Sequence, residues 1–192
     1  VLVVHGGPGN PMSPVADSLF QSWQRDFTIV QWDQRGAGRT YGRHGPSVAS
    51  TMNVERMALD GVEVAEFLTE YLGQDRVTIF ATSWGSVLGV HMAHARHDLF
   101  HAYVGHSQIV EWGANIAATY ERLLERAHAA GDQTSIDTLN EMGAPPWSRA
   151  ANWPRFRRVY GPYQRAATTA PAAPVTLSAE YASEEEQTRY SE

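Results

Sequence analysis

The feature that most constrains this chain is an alternation along its first 107 residues, where short apolar runs take turns with segments of helical period. VLVVH (1–5), FTIVQWD (27–33), RVTIFAT (76–82) and HAYVGH (101–106) read as strands. SPVADSLFQSW (13–23), NVERMALDGVEVAEFLTEYLG (53–73) and WGSVLGVHMAHAR (84–96) read as helices, with Ser13 and Asn53 as caps and Gly73 as a stop. Strands separated by helices are joined by long crossovers, and long crossovers make parallel sheets. Continuous apolar strands fit a sheet covered on both faces. The expected class is therefore α/β, a parallel sheet with helices on both faces. QRGAGRTYGRHGP (34–46) reads as a loop rich in Gly and Arg.

The style changes after residue 107. EWGANIAATYERLLERAHAAG (111–131) and DQTSIDTLNEMG (132–143) carry helical spacing with Gly at their ends. APPWSRAANWPRFRRVYGPY follows, then an Ala/Pro/Thr-rich stretch to 174, with no convincing strand. The expected division is a sheet-bearing core at 1–107 and a helical insertion at 108–192.

Composition narrows the partners. The 15 basic residues, all Arg, face 21 acidic ones, and the net charge of −6 argues against nucleic acid or an anionic membrane as partner. There is no Cys, which removes disulfides, thiolate nucleophiles and thiolate metal sites. No apolar run has the length of a bilayer span. A cytoplasmic protein is expected, with no cofactor and no metal. Val1 already lies in a strand-like run and the chain closes on EEEQTRYSE, so a piece cut at both ends is expected.

Chemistry concentrates where the third strand runs into a helix, at VTIFATSWGSVLGV (77–90). In open α/β sheets ligands bind beyond the carboxyl ends of the strands. A serine on a sharp strand-to-helix turn presents its hydroxyl there, and the turn needs small residues two positions to either side. Ala81 and Gly85 meet that need around Ser83. Ser83 is the candidate nucleophile, and the N–H of Trp84, at a helix start, is the candidate donor to an oxyanion. A second donor fits HGGPG (5–9), with Gly7 the first choice and Gly6 the second. His5 precedes the serine, whereas a catalytic base in such a fold follows it, so His5 reads as a loop-orienting residue. His91, His94, His97 and His101 recur at helical spacing, but only Asp98 adds a carboxylate, and solvated or capping histidines are the better reading. His106 ends the fourth strand and is a pocket-lining candidate.

HGGPG (5–9), WDQRGAGRT (32–40) and TSWGSVLG (82–89) together resemble the proline iminopeptidase family of α/β-hydrolases. These are serine aminopeptidases that typically show HGGPG, DQRG-x-GRS and GGSWGS in this order. Here Ala81-Thr82 stands for Gly-Gly and Thr40 for Ser. The resemblance implies a partial α/β-hydrolase fold, an acyl-enzyme on Ser83 and a small peptide or ester substrate. It implies that GHSQIVEWGANIAATYERLLERAHAAGD begins a helical cap. It also implies an acid and a His that follow the cap and therefore lie outside this chain, which alone is expected to lack turnover. Glu111, Glu121 and Glu141 are the available acids for a substrate amine. Arg35 and Arg39 are expected to pair with carboxylates and brace the loops around Asp33. The other readings are a carboxylesterase of the same fold and a non-catalytic binding relative.

Overall fold

Three strands, β1 (Leu2–Val4), β2 (Val77–Thr82) and β3 (Phe100–His106), form a parallel sheet in the order β1-β2-β3. The structure is a computed structural model that describes residues 1–149, 151–169 and 174–183. The described chain forms two units, one of Val1–Ile109 with the described residues after 173, the other within Val110–Ala172.

In the first unit the alternation of β2 sorts its side chains. Val77, Ile79 and Ala81 are buried and join the core with Leu2 and Val4. Over this face lie α3 (Val54–Leu72) and α4 (Trp84–Ala95), which contribute Met57, Val62, Ala65 and Leu68, and Leu88 and Met92. Asn53 caps α3 by accepting from Arg56 N, and Gly73 ends it in the left-handed conformation, as its sequence foretells. The opposite face is covered more sparsely. Phe80 meets Phe20 of α1 (Ala16–Phe20) at 6.0 Å and Trp23 at 5.1 Å between ring centres. Helices thus lie on both faces of a parallel sheet.

Three local expectations change. The run 27–33 touches β1 through one bridge, Leu2 to Val30, and adds no strand to the sheet. It pairs there through Val3 N to Val30 O and Val30 N to Val1 O, both 2.9 Å, and beyond it Asp33 O accepts from Thr40 Oγ1 and Gln34 N donates to His5 Nε2. Part of the 34–46 loop is helical, as α2 (Gly38–His44). Its first-turn donor Arg39 N reaches Asp33 Oδ2 at 2.8 Å, a cap supplied from outside the helix. Finally, the helical segment was expected to run to 192, but residues 174–183 pack with the first unit. Ser178 N donates to Pro14 O at 2.7 Å, and the Arg39 guanidinium lies 4.1 Å from the centre of the Tyr181 ring.

The second unit consists of α5 (Trp112–Ala130), α6 (Gln133–Met142) and α7 (Asn152–Ala167). The Glu111 carboxylate accepts from Gly113 and Ala114 N–H at the start of α5, and Asp132 does the same for Ser135 at the start of α6. Tyr120, Leu123, Leu139, Met142, Phe156 and Val159 form its core. α7 has no clean sequence signature, because Pro162 lies inside it. Among the described residues no helix is long and apolar enough to cross a membrane.

Candidate active site

The parallel register sets Val4, Ala81 and Gly105 side by side. The carboxyl ends of the three strands therefore share one edge, and the glycine loop, Ser83 and His106 all emerge there.

Ser83 links β2 to α4 with φ 51° and ψ −122°. A positive φ is rare for a residue with a Cβ and persists only where neighbours enforce it, at about 1–3 kcal/mol. The neighbours are visible. Ser83 N donates to His106 O at 2.9 Å, and Ser83 O accepts from Ser86 N at 2.8 Å and Ser86 Oγ at 2.5 Å. The turn also presses α4 onto the end of β1. A Cβ at Gly85 would lie 2.1 Å from Val4 O and 2.6 Å from His5 O, so no other residue fits. Ala81, on the near side, points into the core beside Gly89 and tolerates its methyl group. Trp84 opens α4, so its N–H is one of the donors a helix leaves without an internal acceptor. Its side chain packs against the sheet core.

The glycine loop lies against this turn. A Cβ on Gly6 would be 3.2 Å from Ser83 Cβ and 3.8 Å from Ser83 Oγ. Gly7 follows with φ 122°, where a side chain would strike Gly9 N and Asn10 N. The close approach to Ser83 is thus made at Gly6, and the peptide leaving Gly6 carries the N–H of Gly7. His5 controls that peptide. Its ring is 1% exposed, Nδ1 lies 2.8 Å from Gly6 O, and Nε2 accepts from Gln34 N at 3.2 Å. With Nε2 accepting, Nδ1 is the donor to Gly6 O, and the Gly7 N–H, opposite that carbonyl in a trans peptide, points away from His5. Gln34 Nε2 closes the clasp on His5 O at 2.8 Å. Burial pushes the His5 pKa below its ordinary value, partly offset by the Gly6 bond and Asp33.

The arginine-rich loop is a brace, with one partner absent from the expectation. Arg35 makes two bonds to Asp60 of α3, at 2.8 and 2.7 Å, and Arg56 joins the same carboxylate. The two guanidinium groups hold the Asp60 carboxyl below its usual range despite burial that raises it. The only signal for Asp60 in the sequence is its place four residues after Arg56 on one helix face. Asp33 itself accepts from Ser13 Oγ at 2.6 Å and from Arg39 N.

Other candidates scatter. His91, His94, His97 and His101 are exposed, and among the described residues no three His, Asp or Glu side chains gather to hold a metal. His106 is exposed, with Nδ1 3.0 Å from Thr82 Oγ1. No described side chain hydrogen-bonds Ser83 Oγ. Trp112, Trp147, Trp153 and Tyr160 form an aromatic chain through Phe156 inside the second unit, with centroid distances of 5.0 to 6.0 Å. Glu111 is committed to capping α5, and Glu141 pairs with Arg155 at 2.6 Å. Glu121 is exposed on α5.

A strand–serine–helix turn of this kind, on a parallel sheet, defines the α/β-hydrolase class. The family model for the alpha/beta hydrolase fold matches residues 1–191, and the chain belongs to that family. Within it the chain is proline iminopeptidase-like. It is 30% identical over 149 residues to the Probable aminopeptidase YbaC of Bacillus subtilis (strain 168), covering 78% of this chain and 46% of that protein. It is 37% identical over 93 residues to a Probable proline iminopeptidase of Streptomyces coelicolor, covering 48% of this chain and 27% of the relative. The Proline iminopeptidase of Neisseria gonorrhoeae is 36% identical over 90 residues, or 47% and 26% of the two chains. The chain thus spans less than half the length of these relatives. No solved structure matches it significantly.

Proposed function

We propose that this chain carries the nucleophile of a serine hydrolase that cleaves an amide bond, releasing N-terminal proline or a similar residue from a small peptide. The observation that carries the reading is Ser83, held at φ 51° between a parallel strand and a helix, with Gly6 against its side chain. Ser83 Oγ attacks the carbonyl and gives its proton to a histidine base. The N–H groups of Trp84 and Gly7 receive the negative charge on the carbonyl oxygen. The amine leaves with a proton from the histidine, and water then hydrolyses the acyl-enzyme. The resemblance assigns the histidine and its carboxylate to sequence outside this chain, so the 192-residue chain alone is expected to show no turnover. We also propose the helical unit as the cap insertion of the family. The prolyl preference rests on relatives that carry the name proline iminopeptidase.

A carboxylesterase is the second reading. Glu111 and Glu141 favour it, because both are already committed to a helix start and an ion pair rather than open to a substrate amine. The test uses the chain expressed with the sequence its gene encodes on either side. A fluorophosphonate probe should label Ser83, and Ser83→Ala should abolish labelling. Proline p-nitroanilide and p-nitrophenyl esters then separate peptidase from esterase. Labelling that survives Ser83→Ala, or a Ser83-dependent rate from the 192-residue chain alone, would contradict the account.

A further inference from the structure

We propose that Ser86 is a positioning residue for Ser83, one that locks the nucleophile turn to the segment by which the chain leaves the sheet. The proposal rests on the reading of Ser83 as nucleophile.

Ser86 is 0% exposed, in the first turn of α4. A buried hydroxyl is costly unless it is hydrogen-bonded. The bland expectation is a Ser that bonds back to its own helix and does nothing else. Ser86 does that, through Oγ to Ser83 O at 2.5 Å, but the same oxygen also accepts from Ile109 N at 3.0 Å. Its backbone carbonyl accepts from the Tyr103 hydroxyl at 3.2 Å, and that hydroxyl also bonds Gln108. Contacts from residues 83, 103 and 109 thus converge on one buried residue, with Gln108 one bond further out.

The geometry explains what this convergence does. The direction of the Ser83 carbonyl is set by the Ser83 ψ, and two donors from Ser86 fix that direction. Fixing ψ fixes the disfavoured backbone from which Oγ projects. The segment that leaves β3 has a positive φ of its own, 52° at Ser107. The turn after β2 is therefore joined twice to the end of β3 and the segment that follows it, by Ser83 N to His106 O and by the Ser86 bridge to Ile109. Without the Ser86 hydroxyl the turn keeps one carbonyl donor, and Ile109 N loses its acceptor. Oγ then samples positions outside attack geometry, while the binding surface for the substrate is unaltered.

The test measures fluorophosphonate inactivation in the protein expressed with its flanking sequence, resolved into a maximal rate and a half-saturating concentration. Each variant is assayed well below its own unfolding temperature. Ser86→Ala and Ser86→Cys should lower the maximal rate about tenfold to a hundredfold with half-saturation changed less than about twofold. Ser86→Thr, which keeps the hydroxyl, should restore it to within about threefold of the wild type. A purely structural role would lower the unfolding temperature without this split and without rescue. A folded Ser86→Ala protein that labels at the wild-type rate overturns the proposal. If that variant does not fold, Tyr103→Phe decides, since it loosens the same junction by one hydroxyl. A slower maximal rate supports the proposal and an unchanged one overturns it. A wild-type protein that the probe never labels at Ser83 removes the nucleophile reading, and this inference with it.

Discussion

The two units of this chain are held together by different means. In the sheet unit, close approaches of backbone and buried polar contacts crowd around Ser83. Gly85 has no room for a methyl group, Gly6 touches Ser83, and His5, Gln34 and Ser86 are buried polar side chains with named partners. In the helical unit an apolar and aromatic core is surrounded by exposed charges, and the starts of α5 and α6 are capped by the Glu111 and Asp132 carboxylates. The difference teaches where specificity resides. One unit is constrained residue by residue, the other by volume and pattern, so substitutions should be tolerated very differently in the two.

The largest expected effect lies at Gly85. Gly85→Ala sets a methyl carbon against the Val4 and His5 carbonyls, backbone that cannot yield, and should cost about 4 kcal/mol or more. Loss of soluble folded protein, or a collapsed denaturation midpoint, is the expected readout. A wild-type midpoint would break the comparison. Leu139→Ala probes the other unit. Leu139 is fully buried, and its truncation should cost about 2–5 kcal/mol, while Leu139→Met should cost less than about 1.5 kcal/mol. Equal losses from both Leu139 variants would mean that the helical core is as exacting as the serine turn.

The smallest and sharpest effect is in pH. The pKa of His5 is lowered on folding, so the unfolded chain binds its proton first. Stability from His5 is complete above its ordinary value of 6.5 and falls as the pH drops from there toward the folded value. Asp132 is shifted down by the Ser135 hydroxyl and N–H, and Glu111 by the N–H groups of Ala114 and Gly113, so their contribution is present above 3.8 and 4.5 and is lost only as pH falls through their lower folded values. Hydrogen exchange across a pH series should therefore loosen the glycine loop as the pH falls below 6.5, while the starts of α5 and α6 loosen only as it falls below 4.5 and 3.8 respectively. Simultaneous loosening would remove the distinction.

Much of the sheet unit was legible in the sequence because its signals are local. The 3.6 period of α3, its Asn53 cap and its Gly73 stop are written in adjacent residues, and so is the small–x–Ser–x–Gly pattern around Ser83. What stayed illegible depends on partners outside each segment's own pattern. Nothing near residue 38 announces α2, since its capping carboxylate is Asp33 in the preceding segment. The run at 27–33 has the composition of a strand, yet it meets β1 only around Val30, and its end at Asp33 is turned to Thr40 Oγ1. Asp60, which anchors Arg35, lies 25 residues away from it.

The sequence by itself determined the turn around Ser83 and what kind of sheet would hold it, because apolar period and turn chemistry act over a few neighbouring residues. Only the tertiary structure decided that Gly6 would press on Ser83, that Gln34 would clasp His5, and that Ser86 would reach Ile109. Those contacts join segments tens of residues apart, and a position's own propensity carries no record of what folding brings beside it.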